Sequence, residues 1–209
     1  MSDGHALVPA PLNDRQLNLL ARKFGACSGR SFVDVGCGEG QWLKALQVKG
    51  ARVQGMDDPS RGAVALDGVI LPGSPAANVP WESHSLDTVL LRSPQFFGAE
   101  TFSAELIIAL ANLLSSLKPG GRLIVPVSSV DSLAAKSWQA EFRLLPGKAI
   151  TRTVSTGLMG YLTLEFLFRP TAPVHLVEFR TMRQSPSRLE WHRIARAIVQ
   201  SRMQSPVAA

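Results

Sequence analysis

With 209 residues, 45% of them hydrophobic and 18% charged, the chain has enough apolar material for one well-cored domain and too much to be disordered. Its longest apolar stretch, residues 106–117, is too short to span a bilayer, and residues 1–5 lack the basic start of a secretory leader. Two cysteines form no disulfide framework, so the cytoplasm is the expected compartment, and a net charge of +6 permits an acidic partner without demanding one.

Residues 1–12 read as a frayed start, with Asn13 as N-cap of a helix carrying Leu17, Leu19, Leu20 and Phe24. Phe32, Val33 and Val35 have the character of a covered parallel strand. Gly36, Gly38 and Gly40 follow, then a helix with Trp42, Leu43 and Leu46 inward, stopping at Gly50. A strand that feeds a glycine turn and a helix start is a site for a nucleotide-like ligand. The dinucleotide spacing would place its third glycine at Gln41, whereas here it falls at Gly40, which disfavours a nicotinamide cofactor. Asp34 stands two residues before the first glycine, where it would repel a pyrophosphate and can brace the loop. A second strand over 51–56 runs into Asp57 and Asp58, where a carboxylate about twenty residues on bonds ribose hydroxyls.

Residues 60–68 are too short and glycine-rich for a full helix, and a short strand follows over 69–71. The fourth strand spans 86–91, with Arg92, Ser93, Pro94, Gln95 and Phe96 past its carboxyl end, where doubly wound sheets place their ligands. His84, in the loop before that strand, is the one histidine expected near this edge. Leu106, Ile107, Leu110, Leu113, Leu114 and Leu117 form a helical stripe that stops at Lys118-Pro119-Gly120-Gly121. A fifth strand covers 122–125, and Ser128, Ser129 and Asp131 are the expected caps of a helix bearing Leu133, Trp138 and Phe142.

From Pro146 the period changes to two, which gives candidate strands over 148–155, 161–168 and 174–182. Gly157 and Gly160 make a flexible connection, and Tyr161, the single tyrosine, is placed to orient a substrate or simply to pack. Ser185 and Pro186 are expected to open a last helix that docks through Leu189, Ile194 and Ile198. Arg180, Arg183, Arg188, Arg193, Arg196 and Arg202 make this the most basic region, either a nucleic-acid-facing surface or a solvated face. No zinc-ligand spacing occurs, and no metal is expected.

V-D-V-G-C-G-E-G over 33–40, V-Q-G-M-D over 53–57, L-D-T-V-L over 86–90 and L-K-P-G-G over 117–121 resemble, in register, four motifs of the class I S-adenosylmethionine-dependent methyltransferases. The resemblance covers residues 30–128. It implies an α/β, doubly wound (Rossmann-like), mostly parallel sheet with helices on both faces and an antiparallel C-terminal hairpin. It also implies S-adenosylmethionine as cofactor, held by Asp34, Gly36, Cys37, Gly38, Gly40, Asp57, Asp58, Gly73, Ser74 and Arg92. Ser74 or Asn78 stands where the family usually has an acid on the adenine amine. Residues 93–96 are similar to the S/N/D-P-P-aromatic motif of some amino-methyltransferases, with Gln95 in place of the second proline. Ser93, Pro94, Gln95, Phe96 and Tyr161 are therefore the acceptor-side candidates. The absence of an acid–base pair fits, because the methyl sulfonium is already activated and transfer needs mainly orientation.

The expected organisation is a single domain over 13–183 followed by a basic helix and tail over 184–209. The expected activity is methyl transfer to an unidentified acceptor, a small molecule first. The alternatives are a non-catalytic binding or scaffold protein of the same fold and a methyltransferase acting on RNA or DNA.

Overall fold

The computed structural model describes residues 12–57, 69–92, 104–155 and 172–204. Strand β1 (Ser31–Val35) takes the centre of the sheet because every side chain after Ser31 is buried, which requires cover on both faces. β2 (Arg52–Asp57) and β4 (Leu86–Leu91) flank it in parallel. β3 (Ile70–Pro72) extends the sheet beyond β2, and β5 (Leu117–Val127) extends it beyond β4, both also parallel. β7 (Val174–Thr181) then enters antiparallel between β5 and the edge strand β6 (Gly147–Val154). The resulting order is β3-β2-β1-β4-β5-β7-β6, the doubly wound sheet with an antiparallel C-terminal pair that the motifs imply. The chain leaves β1 on one side and resumes at β4 on the other, so a crevice is expected at the carboxyl ends of these two strands. The anticipated strand over 161–168 and the segment 58–68 lie outside the described residues.

Strand alternation sorts the core into two layers. Phe32, Leu90, Ile124 and Leu176 face the side covered by α1 (Asp14–Arg22) and α2 (Gln41–Gln47), where Leu17, Leu20, Trp42 and Leu46 meet them. Val33, Val89, Leu123, Val125 and Val177 face the other side. There α3 (Ala104–Ser116), α4 (Leu133–Arg143) and α5 (Arg188–Gln204) supply Leu110, Leu114, Trp138, Phe142 and Trp191. Helix α1 starts as its sequence suggests. Asn13 accepts the Gln16 amide at 3.0 Å while the Gln16 side chain accepts the Asn13 amide at 3.2 Å, a reciprocal box.

Four local expectations are corrected. The cap of α4 is Ser132, whose hydroxyl accepts the Ala135 amide at 3.2 Å, and not Ser128, Ser129 or Asp131. Ser187, not Ser185, opens α5, because its amide and hydroxyl both donate to Glu190 at 2.7 Å. The buried face of α5 is then Trp191 and Ala195, with Ile194 and Ile198 against it, and Leu189 is left 61% exposed. Two positions before Trp191, Leu189 is turned about 200° around the helix, onto the solvent side. His84 sits at the amino end of β4, opposite the carboxyl edge, where its Nε2 lies 3.2 Å from the Pro186 carbonyl. A loop before a parallel strand is always at the far end from the ligand crevice.

Candidate functional site

The loop after β1 rises only because three of its residues are glycines in the left-handed region. Gly36, Gly38 and Gly40 have φ of 83°, 52° and 72°, angles that side-chain-bearing residues rarely hold. The Gly36 amide donates to the Met56 carbonyl at 2.7 Å, and the Gly40 amide folds back onto the Cys37 carbonyl at 3.0 Å. Gly40 is the N-cap of α2, so the turn leads straight into a helix. At Gly38 an added Cβ would meet nothing within 4 Å, so the crest of the loop faces open space.

Beneath the crest, Asp34 and Arg92 clamp the loop to the sheet. Arg92 Nε donates to Asp34 Oδ1 at 2.9 Å and Nη2 donates to Oδ2 at 2.8 Å. Nη2 also reaches the Cys37 carbonyl at 2.8 Å, so one guanidinium joins the end of β4, the end of β1 and the glycine loop. Asp34 is fully buried, and burial raises its carboxyl pKa against the pull of Arg92. Burial, the largest single influence, would lower the guanidinium pKa, but the Asp34 charge and its hydrogen bonds, with Cys37 and Asp57, together outweigh it and raise Arg92. Both carboxylate oxygens accept from the guanidinium, which leaves no room for a proton, and the pair is ionic.

Cys37 turns inward. Burial first, then Asp34 and Asp57, push its thiol up to about 12, so it is a packing residue and not a nucleophile. It rests on Gly55 of β2, where a Cβ would stand 2.7 Å from Cys37 Sγ and 2.9 Å from Leu43 Cδ1. Sequence reasoning passed over Gly55. Its signal was a glycine inside an otherwise ordinary strand, which marks a close approach.

Asp57, at the tip of β2, is 4% exposed, and its Oδ2 accepts the Gly38 amide. The Gly73 amide donates to the Asp57 carbonyl at 3.1 Å, which brings the loop after β3 to the same edge. Ser74 shapes that loop as a turn, its hydroxyl accepting the Ala76 amide at 3.3 Å and its carbonyl taking the Ala77 and Asn78 amides. Asp34, Gly36, Cys37, Gly38, Gly40, Asp57 and Arg92 are thus gathered in one place, with Gly73 and Ser74 one strand away. Asp58, Ser93, Pro94, Gln95, Phe96 and Tyr161 lie outside the described residues. Among the described residues no cluster of His, Cys, Asp or Glu could hold a metal ion, and no helix is long and apolar enough to cross a membrane.

Residues 33–125 match the family model described as "Methyltransferase domain". No curated protein sequence matches the chain. Among solved structures, the mitomycin 7-O-methyltransferase MmcR superposes with a TM-score of 0.54 at 16% identity, over 80% of this chain and 53% of its own length. A SAM-dependent methyltransferase from Archaeoglobus fulgidus gives 0.55 at 12% identity, over 81% and 95% of the two chains. A TehB-like SAM-dependent methyltransferase from Corynebacterium glutamicum gives 0.55 at 17%, over 81% and 89%. At such identities the likeness concerns the fold, and this chain spans about half the length of MmcR. The matched residues run from β1 through the glycine loop and β4 into β5, so this part of the chain is similar to a methyltransferase domain, and its fold is the one seen in S-adenosylmethionine-dependent methyltransferases.

Proposed function

We propose that the protein transfers a methyl group from S-adenosylmethionine to a small-molecule acceptor, holding the donor on the Gly36–Gly40 loop with Asp57 on the ribose hydroxyls. The observation that carries this reading is the Asp57 carboxylate locked to the Gly38 amide, an acceptor fixed beside an open loop crest. The donor set suits the ligand. Hydroxyls pair with a carboxylate, which Asp57 supplies at this edge of the sheet. A pyrophosphate would find no unpaired cation in the loop, because Arg92 is committed to Asp34 and Cys37. In this reading Asp34 and Arg92 brace the loop, Cys37 fills its underside, and Gly73 and Ser74, with Asp58, flank the adenosine. S-adenosylmethionine supplies an activated methyl, so the chain has only to orient the acceptor and exclude water. Ser93, Pro94, Gln95, Phe96 and Tyr161 are the residues we assign to that task.

A small acceptor is favoured over a nucleic acid at the C-terminal helix by the fate of its arginines. Arg188 donates to the Trp81 carbonyl at 2.8 Å and to Ser115, and Arg202 is paired with Glu141. The dense basic face expected there is therefore partly consumed in packing. MmcR, a small-molecule O-methyltransferase by its name, has the same fold.

Calorimetric titration with S-adenosylhomocysteine tests the reading. Binding in the micromolar range is expected, weakened at least about tenfold by Asp57→Ala through loss of charge-assisted hydrogen bonds. An intact, folded protein that binds no S-adenosylhomocysteine refutes it.

A further inference from the structure

At the opposite end of the sheet from the glycine loop, the pairing register aligns cations side by side. Phe32 stands opposite Thr88, Thr88 opposite Arg122, Arg122 opposite Arg180, and Arg180 opposite Lys148, one continuous row across five strands. Directly opposed residues share a face, so Arg122, Arg180 and Lys148 point the same way at strand spacings of about 4.8 Å. Like charges placed opposite one another destabilise a sheet, and here three are consecutive.

The cluster has an internal scaffold. Glu178, two residues along β7 from Arg180 and 3% exposed, takes Arg180 Nε on Oε1 at 2.5 Å and Arg152 Nε on Oε2 at 3.3 Å. Each arginine spends only its Nε there, and among the described residues neither guanidinium places its terminal nitrogens on another acceptor. Arg122 is more exceptional. Its guanidinium lies 5.4 Å from the Phe24 ring centre and, among the described residues, has no hydrogen-bond acceptor at all. Arg30 lies over the same ring at 5.9 Å and over Phe32 at 5.1 Å. Half-burial, first, and then the charges of Arg180, Arg30 and Arg152 lower the Arg122 pKa, while Glu178 raises it in part. The other nearby acid, Asp87, is already held by Lys118 at 2.6 Å. Five cations thus surround one neutralising carboxylate, with guanidinium forks that match phosphate oxygens.

We propose that Arg122, Arg180, Arg152 and Lys148, with Arg30 at the rim, form a binding site for a phosphate-bearing polyanion. Three adjacent strands spread the cations over about 10 Å, more than a single phosphate occupies, so the ligand carries several. The row lies three residues back along β1 from Val35, about 10 Å from the glycine loop, and the site is independent of the methyl-donor site. A folded-back nucleic-acid strand and a free polyphosphate share this chemistry, and one experiment separates them.

Fluorescence anisotropy of a labelled single-stranded oligonucleotide of about ten nucleotides, with inorganic tripolyphosphate as competitor, reads the site in the intact chain. Arg122→Gln, and separately the exposed pair Arg152→Gln/Lys148→Gln, are expected to weaken binding about tenfold or more. Arg193→Gln/Arg196→Gln on α5 removes the same two charges as the second variant elsewhere and is expected to change affinity less than about twofold. S-adenosylhomocysteine titration of each variant reports that the fold is intact. Tripolyphosphate that binds calorimetrically and displaces the oligonucleotide at equal phosphate concentration identifies a free polyphosphate ligand. An oligonucleotide that resists it, with a steep salt dependence, identifies a polymer backbone. Absence of binding by either probe overturns the proposal, as do equal losses in the sheet and α5 variants, which would reduce the effect to net charge.

Discussion

The clamp between Asp34 and Arg92 gives the sharpest energetic test of the loop. Arg92→Met keeps most of the side-chain stem but deletes two hydrogen bonds to Asp34 and one to the Cys37 carbonyl. Removing one partner of a buried ion pair costs about 3–5 kcal/mol, because the other charge is left without compensation. The lost bond to Cys37 adds about 1 kcal/mol. Against a total stability of about 5–15 kcal/mol, such a loss is visible as a large fall in the urea midpoint. Its pH dependence has a definite sign. Asp34 has its pKa raised by burial even with Arg92 present. Without that cation, the folded carboxyl holds a proton more tightly still than the unfolded one. Acid then favours the fold, and the variant loses stability as pH rises from the unfolded carboxylate pKa, about 3.9, through the raised folded value. Urea melts of Arg92→Met at pH 5 and pH 8 should therefore show the larger deficit at pH 8. Asp34→Asn/Arg92→Met should be less destabilised than the sum of its single variants, by about 1–3 kcal/mol. A single-variant loss under about 1 kcal/mol, or additive singles, would refute a clamp.

Gly55→Ala forces a methyl group to within 2.7 Å of Cys37 Sγ and 2.9 Å of Leu43 Cδ1. The overpacking is expected to cost about 1–3 kcal/mol in urea unfolding and to weaken S-adenosylhomocysteine binding by displacing the glycine loop, while unchanged melting would mean that the strand yields freely. Asp87 is a milder case of opposite sign. Partial burial would raise its carboxyl, but Lys118, the Ser31 amide and Arg30 together lower it. Its contribution is present above the unfolded pKa of about 3.9 and fades as pH falls through the lowered folded value. Asp87→Asn should flatten this segment of the acid-unfolding curve by about 1 kcal/mol, since the pair keeps partial contact with solvent, and an unaltered curve would remove Asp87 from the balance.

What could be read from the chain alone was what acts over short distances. The Asn13 cap needs only Gln16 three residues on, and the glycine turn needs only Gly36, Gly38 and Gly40. The doubly wound, mostly parallel sheet was legible because four motifs arrive in register with their strands. Choices among near-equivalent neighbours were not legible. Ser128, Ser129, Asp131 and Ser132 are all good caps, and only the geometry of the chain leaving β5 selects Ser132. Long-range pairings were also hidden. Arg92 lies 58 residues from Asp34, and nothing near it in sequence announces the contact. The row of Arg122, Arg180 and Lys148 depends on β7 entering between β5 and β6, a non-local event that no periodicity encodes.

The same insertion sets the order in which the molecule can be completed. On a ribosome, β5 and β6 emerge before β7, yet they do not pair with each other, and each must await a strand that ends at Thr181. Until then β5 presents the unpaired backbone edge of a growing parallel sheet, a surface that invites association between chains. Trp191 of α5 comes later still, although it belongs to the core beside α3. The nascent chain can therefore assemble its glycine loop early, on β1, β2 and β4, while the half of the sheet that seals the core is closed only by segments synthesised later.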